Sequence, residues 1–258
     1  MKTLRQKGRQ WALGLVSMML FLLLWEAAVR LLHVRPITLP PPSAVLLELA
    51  AEWRWYLDHA GYTLLTTLGG FALAVVVGVG LAMLLVGSRG FEHSIYPLIV
   101  GLNSVPKVAV APLFVIWLGY GIWPNIIIGT TIAFFPMVVN TAVGLASAEP
   151  EMLDLVRSLN ASRWQVYRKI RFPNAVPYIF TGLKLNATMS VTGAIVGEFV
   201  ASERGLGSLI ITGGVTMQTP SIFASLILIS ALGLVLYGAV VAVENIVAPW
   251  ANREDAAK

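Results

Sequence analysis

Cysteine is missing from this 258-residue chain, and charge is scarce. Without thiols there are no disulfides, thiolate metal sites or redox relays. Charged residues make up 12% of the chain, against about a quarter in a soluble domain, too few to clothe a water-facing surface. The histidines, His33, His59 and His93, fall in separate connections with no ligand-like spacing, so no metal site is expected. No Gly-x4-Gly-Lys-Ser/Thr phosphate loop occurs, so ATP hydrolysis is not expected of this chain. Clustered His and carboxylate constellations are also lacking, which argues against a membrane-embedded enzyme. No internal repeat or separable soluble domain is legible.

What the chain has in abundance is apolar sequence, 57% of it. The apolar residues come in blocks of about 20 rather than alternating, which favours spanning helices over a transmembrane barrel. Many of the 8 Trp, 7 Tyr and 10 Phe sit at block ends, where amphipathic rings favour the headgroup region. The reading is an all-α, polytopic membrane protein with about six transmembrane helices, near 12–32, 64–87, 94–118, 123–146, 175–200 and 222–248. The first block is too long for a secretory signal and lacks a small-x-small site before Glu26, so it is expected to stay as a span.

Cations set the orientation. Lys2, Arg5, Lys7 and Arg9 in the tail 1–11, Arg89, the cations of the 147–174 loop, and Arg253 and Lys258 in the tail 249–258 share one side. Only Arg35, Arg54 and Arg204 lie on the other. Both termini and the 147–174 loop are therefore expected on the cytoplasmic side. The basic tail reads as an orientation signal, not a nucleic-acid site. The connection 33–63 is then external. Its Pro40-Pro41-Pro42 run should be extended, with Ser43 as an N-cap and Leu46, Leu49, Trp53 and Tyr56 on one helical face. A five-helix core over 64–248 completes the organisation.

The loop 147–174 carries the strongest functional signal. Glu149-Pro150-Glu151 suits a helix start. Met152, Leu153, Leu155, Val156 and Leu159 form an apolar stripe, and Asp154, Arg157 and Ser158 a polar face. Asn160 stands where the helix should stop, at a position needing tolerance of positive φ. A second amphipathic helix is expected from about Arg163 to Arg171, with Pro173 and Pro177 marking entry to the next span. An exposed apolar stripe outside the bilayer calls for a partner's groove.

This segment resembles the signature loop of inner-membrane permease subunits of binding-protein-dependent ATP-binding-cassette importers. The family pattern is Glu-Ala-Ala, three residues, Gly, nine residues, Ile, one residue, Leu-Pro. Here the positions are Asp154-Leu155-Val156, Asn160, Ile170 and Phe172-Pro173. The spacing is kept, with Asp for Glu, Leu-Val for Ala-Ala, Asn for Gly and Phe for Leu. Ala161-Ser162-Arg163-Trp164-Gln165, Pro106-Lys107-Val108-Ala109, Pro177-Tyr178-Ile179 and Ser202-Glu203-Arg204-Gly205-Leu206-Gly207 look like the nitrate, sulfonate and taurine branch. The resemblance implies that Asp154, Leu155, Val156, Arg157, Leu159, Asn160 and Arg163 couple the chain to a cytoplasmic ATPase subunit. It also implies an external solute-binding protein, a second permease copy as homodimer partner, and no cofactor in this chain. The cargo implied is a small anion or a small heterocyclic vitamin precursor.

Charges at membrane depth cost about 2.5–3.5 kcal/mol on insertion scales, so each has a reason. Lys107, Asn140, Asn186 and Glu198 are candidates for lining a pathway; the competing role is helix–helix contact for the first three and, for Glu198, an interfacial carboxylate hydrated at the end of its span. Glu26 and Arg30, four apart, are expected to pair, Lys184 to reach toward the cytoplasmic face, and Gly193 and Gly197 to form a packing face. The alternative function is an ion-coupled secondary transporter or channel, which would have no use for a docking helix.

Overall fold

The computed structural model describes residues 2–250, apart from the side chains of 2–12, 15, 89, 157 and 201. Every regular element among them is helical: α1 (Lys2–Leu31), α2 (Pro42–Ala51), α3 (Trp53–Gly87), α4 (Arg89–Ser104), α5 (Lys107–Leu118), α6 (Ile122–Ala146), α7 (Pro150–Ser158), α8 (Arg163–Val166), a π-helical turn (Tyr167–Arg171), α9 (Phe172–Ala201), α10 (Leu206–Val215) and α11 (Thr219–Val247). Four helical stretches are long and apolar enough to cross a membrane: α3, α6, 163–200 and α11. α3 has 35 residues, roughly 52 Å, more than the hydrocarbon needs.

The apolar block 94–118 is not one straight helix. α4 and α5 meet at 97°, with Val105 extended (φ −69°, ψ 130°) and Pro106 leading into α5. A residue before proline is pushed out of the helical region, and that ends α4. The second helix of the 147–174 insert is not separate either, because it runs unbroken into α9. Pro173 lacks an N–H and would strike the carbonyl four residues back. The π turn absorbs this: the Phe172 N–H donates to the Tyr167 carbonyl five residues back, a local rewinding typical of such bulges.

The chain divides into two compact units, 1–58 with 209–228 and 59–208 with 229–258. In the first, Arg30 pairs with Glu26 at 2.6 Å. Pro41 is extended (φ −67°, ψ 146°) and is itself the N-cap of α2, so Ser43 lies inside the first turn. Its N–H and hydroxyl both donate to the Glu26 carboxylate, at 3.0 and 2.7 Å. Glu26 thus caps α2 from another helix, filling the role expected of Ser43. The expected common face of Leu46, Leu49, Trp53 and Tyr56 is broken at Glu52, between α2 and α3. Leu46 and Trp53 are exposed, whereas Tyr56 is 1% exposed and donates to Ser221 Oγ at 2.8 Å.

In the second unit α6 and α9 pack along their length. A Cβ at Gly193 would fall 2.5 Å from Gly129 Cα, one at Gly197 2.7 Å from Asn125 Cα, and one at Gly144 2.6 Å from Tyr178 Cβ. Backbones this close admit only small residues. From Asn125 to Gly144 α6 rises about 29 Å, close to the hydrocarbon thickness. The pair is therefore fastened from one end to the other.

Candidate functional site

The 147–162 connection joins the near ends of this fastened pair. Pro150 opens α7 with Glu151 in its first turn, the arrangement that favours a helix start. Leu155 is 60% and Leu159 72% exposed, with Met152 exposed as well, while Leu153 and Val156 are half-buried. Asp154 is on the exposed side, and the Arg157 side chain lies outside the described residues. The helix stops because Asn160 takes φ 56°, and the Ala161 N–H then donates back to the Val156 carbonyl at 3.1 Å. That is the six-to-one bond of a Schellman motif, in which Asn replaces the usual Gly at the left-handed position.

A second cap follows at once. Ser162 Oγ accepts from the Gln165 N–H at 3.3 Å, and Gln165 Oε1 accepts from the Ser162 N–H at 2.8 Å, a reciprocal capping box. Turn, box and π turn together fix the direction in which α7 leaves the membrane. Trp164 stacks on Tyr167 with ring planes 5° apart, and Trp164 is 65% exposed.

The intramembrane candidates are not gathered in one place. Asn186 is buried; it donates to the Phe71 carbonyl at 3.3 Å and accepts from Ser190 at 3.0 Å, tying α9 to α3. Asn140 is half-buried and donates to the Pro136 carbonyl of its own helix at 2.8 Å. Lys107 reaches back over the α4–α5 bend to the Asn103 carbonyl and side-chain oxygen, capping the end of α4 with its cation.

Glu198 is 1% exposed. One carboxylate oxygen accepts from the Thr63 hydroxyl at 3.0 Å and the Gly207 N–H at 2.8 Å, and the other from the Thr66 hydroxyl at 3.3 Å. Gly205 (φ 106°) leaves room for it, since a Cβ there would fall 2.3 Å from the carboxyl carbon. The Thr63 oxygen also accepts from the Leu206 N–H at 2.8 Å, and His59 Nδ1 lies 3.0 Å from the Gly205 N. The carboxylate thus fastens the 202–207 turn to α3, and no interfacial hydration reaches it.

Sequence reasoning did not find this set, because Thr63 and Thr66 lie more than a hundred residues from Glu198. It also missed Glu244, buried on α11, whose carboxylate meets Lys184 Nζ at 2.6 Å. Lys184 pairs inside the helix bundle, and does not reach alone toward a membrane face. No group of three or more His, Cys, Asp or Glu is placed to hold a metal among the described residues.

With this geometry in place, the chain can be set beside known proteins. The model of the family described as "Binding-protein-dependent transport system inner membrane component" matches residues 57–250. A riboflavin transport system permease protein of Chloroflexus aurantiacus is 34% identical over 247 residues, covering 93% of this chain and 91% of that one. A formylaminopyrimidine transport permease protein of Halalkalibacterium halodurans is 30% identical over 237 residues, covering 92% and 94%. Among solved structures, an inward-facing MetNI methionine ABC transporter matches with TM-score 0.60 at 17% identity, over 75% of this chain and 98% of that one, a likeness of fold.

Proposed function

We propose a function from one premise: this chain belongs to the family of binding-protein-dependent transport system inner membrane components. It is a membrane permease subunit of an ATP-driven importer, not an enzyme, and works with separate ATPase subunits, a solute-binding protein and a second permease chain. Within that frame α7 is the element that the ATPase grips. Leu155 and Leu159 enter a cleft of the ATPase, Asp154 and Arg157 make the polar contacts at its rim, and Val156 and Asn160 hold the shape of the turn. The observation that carries this reading is mechanical. The exposed apolar face of α7 is joined by two caps to the α6–α9 pair, and that pair is too closely fastened to bend independently. A push on α7 therefore moves two spans as one body, which is what alternating access requires.

The loop and both termini face the cytoplasm in this reading, supported by the distribution of Lys and Arg. The second permease chain is another copy of this one. Lys107 and Asn140, both half-buried, remain the pathway candidates, whereas Asn186 and Glu198 hold helices together. The cargo is a small heterocycle of the vitamin or vitamin-precursor class, a reading supported by the names of the riboflavin and formylaminopyrimidine permeases.

Because the chain has no cysteine, single-cysteine labelling tests the topology cleanly. Ser158→Cys should react with an impermeant maleimide only in inverted vesicles; labelling in right-side-out vesicles would overturn the orientation. Asp154→Ala in the reconstituted complex should abolish cargo-stimulated ATP hydrolysis with the fold intact, and unchanged stimulation would remove α7 from the coupling role. Uptake of labelled riboflavin or an aminopyrimidine, with a small sulfonate as comparison, tests the cargo class.

A further inference from the structure

We propose that the cleft between the end of α3 and the start of the α8–α9 helix binds an anionic phospholipid, its phosphate on Arg163 and Arg171 and an acyl chain over Met83 and Leu84. Arg163, Tyr167 and Arg171 follow one another at intervals of four along the helix, so they share a face. Together with Val86 and Gly87, at the last turn of α3, they line a cleft of about 490 Å³, within the usual range for small-ligand sites of about 300–1,000 Å³. A second cleft adjoins it, sharing Arg163 and Tyr167 and lined otherwise by Met83, Leu84 and Trp164. One hollow is cationic and the next apolar and aromatic, which matches a headgroup with its chain.

The polar atoms are donors awaiting an acceptor. Neither guanidinium has an ion-pair or hydrogen-bond partner among the described residues. The Tyr167 hydroxyl is shielded from solvent with no hydrogen-bond partner, an arrangement native structures seldom leave unfilled. No carboxylate lines either hollow, so charge complementarity selects an anion. The level selects a lipid. Met83 to Val86 end the apolar run of a spanning helix, and Trp164 and Tyr167 are the amphipathic rings expected at an interface. Basic pockets between spanning helices at this depth suit acidic headgroups. Arg163, grouped by family resemblance with the coupling residues, is thereby assigned to the membrane. The inference needs only that α3 and α9 cross the bilayer, so it does not stand or fall with the docking assigned to α7.

The test is lipid retention by the intact complex with its ATPase subunits. The complex is reconstituted in vesicles of equal phosphatidylglycerol and phosphatidylcholine, re-extracted in mild detergent and read by quantitative lipid mass spectrometry. The wild type should enrich phosphatidylglycerol about thirtyfold, given two cations at the surface. Arg163→Gln/Arg171→Gln should fall to near parity, Tyr167→Phe should lose part of the enrichment, and Arg168→Gln, whose side chain lines neither hollow, should keep it. Single Arg163→Gln, at the exposed first position of α8, gives an intermediate value if the double variant fails to assemble. Parity in the wild type, or full enrichment in the double variant, would overturn the proposal. So would displacement of the lipid by excess inorganic phosphate, which would make this a site for a soluble anion. Loss of the ATPase subunits with lipid enrichment intact would overturn it too, assigning the arginines to the protein partner.

Discussion

Helix α9 is closed at one end and open at the other, and the two ends use polar groups in opposite ways. At the far end Glu198 is enclosed by Thr63, Thr66 and the Gly205–Gly207 backbone. Its donors belong to the same chain, and water has no access. At the near end the helix begins in a capping box and a π turn, with Leu155, Leu159 and Trp164 exposed and Arg168 and Lys169 exposed beside them. A buried carboxylate is tolerable only when fully hydrogen-bonded, so the closed end admits one geometry. The open end is determined in shape but not in contacts, and that leaves it available to other molecules. Stability is thus concentrated away from the proposed docking surface, which lies where removal of a side chain leaves no cavity.

Four substitutions can break or sharpen that contrast. Gly193→Val should have the largest effect, because its Cβ would fall 2.5 Å from Gly129 Cα and only backbone can yield. Folded, detergent-soluble complex should be lost in size-exclusion chromatography, whereas Gly80→Val, with nothing within 4 Å, should run like the parent. Next, Glu198→Ala strands the Thr63 hydroxyl and the Gly207 N–H, while Thr66 keeps the Thr63 carbonyl as acceptor, at about 1–3 kcal/mol for each group left unsatisfied. The thermal midpoint of the complex should fall by several degrees, and a midpoint equal to the parent's would show that the closed end is not closed. Between the ends, Glu244→Leu leaves Lys184 unpaired and should cost about 2–3 kcal/mol, below the fully buried range because Lys184 is partly exposed. The double variant Lys184→Met/Glu244→Leu should recover most of it, and a double variant as unstable as the single would sink the pairing. Smallest of all, Asn160→Gly relieves a left-handed residue and should shift stability by less than about 1 kcal/mol. Asn160→Val should cost about 1–3 kcal/mol and impair coupling more than melting.

The legible parts of the sequence were those with short-range causes. Four of the six apolar blocks gave helices long enough to span, the Gly193–Gly197 spacing gave a close helix crossing, and Glu26 with Arg30 gave an ion pair one turn apart. Asn160 could be placed because a helix stop needs a local backbone conformation. What escaped depends on distant partners or on how backbone errors are absorbed. Nothing near Glu198 in the chain announces Thr63 and Thr66, and nothing near Lys184 announces Glu244. The α4–α5 bend was hidden because a hydropathy window averages across Val105-Pro106. The continuity of the helix through Pro173 was hidden because a proline reads as a break unless a π turn takes up the missing bond. Ser43 was misplaced as a cap since the true acceptor, Glu26, stands on another helix.

The π turn at Tyr167–Arg171 also acts as a vernier on α7, the proposed docking element. Its surplus residue advances everything upstream by about 100° around the axis relative to an uninterrupted helix. Pro173→Ala, which lets an ordinary α-helix replace the π turn with no residue lost, would leave charge and both caps untouched. The loop would then leave the α6–α9 pair at another azimuth, still folded but dialled away from the ATPase subunit proposed to hold it.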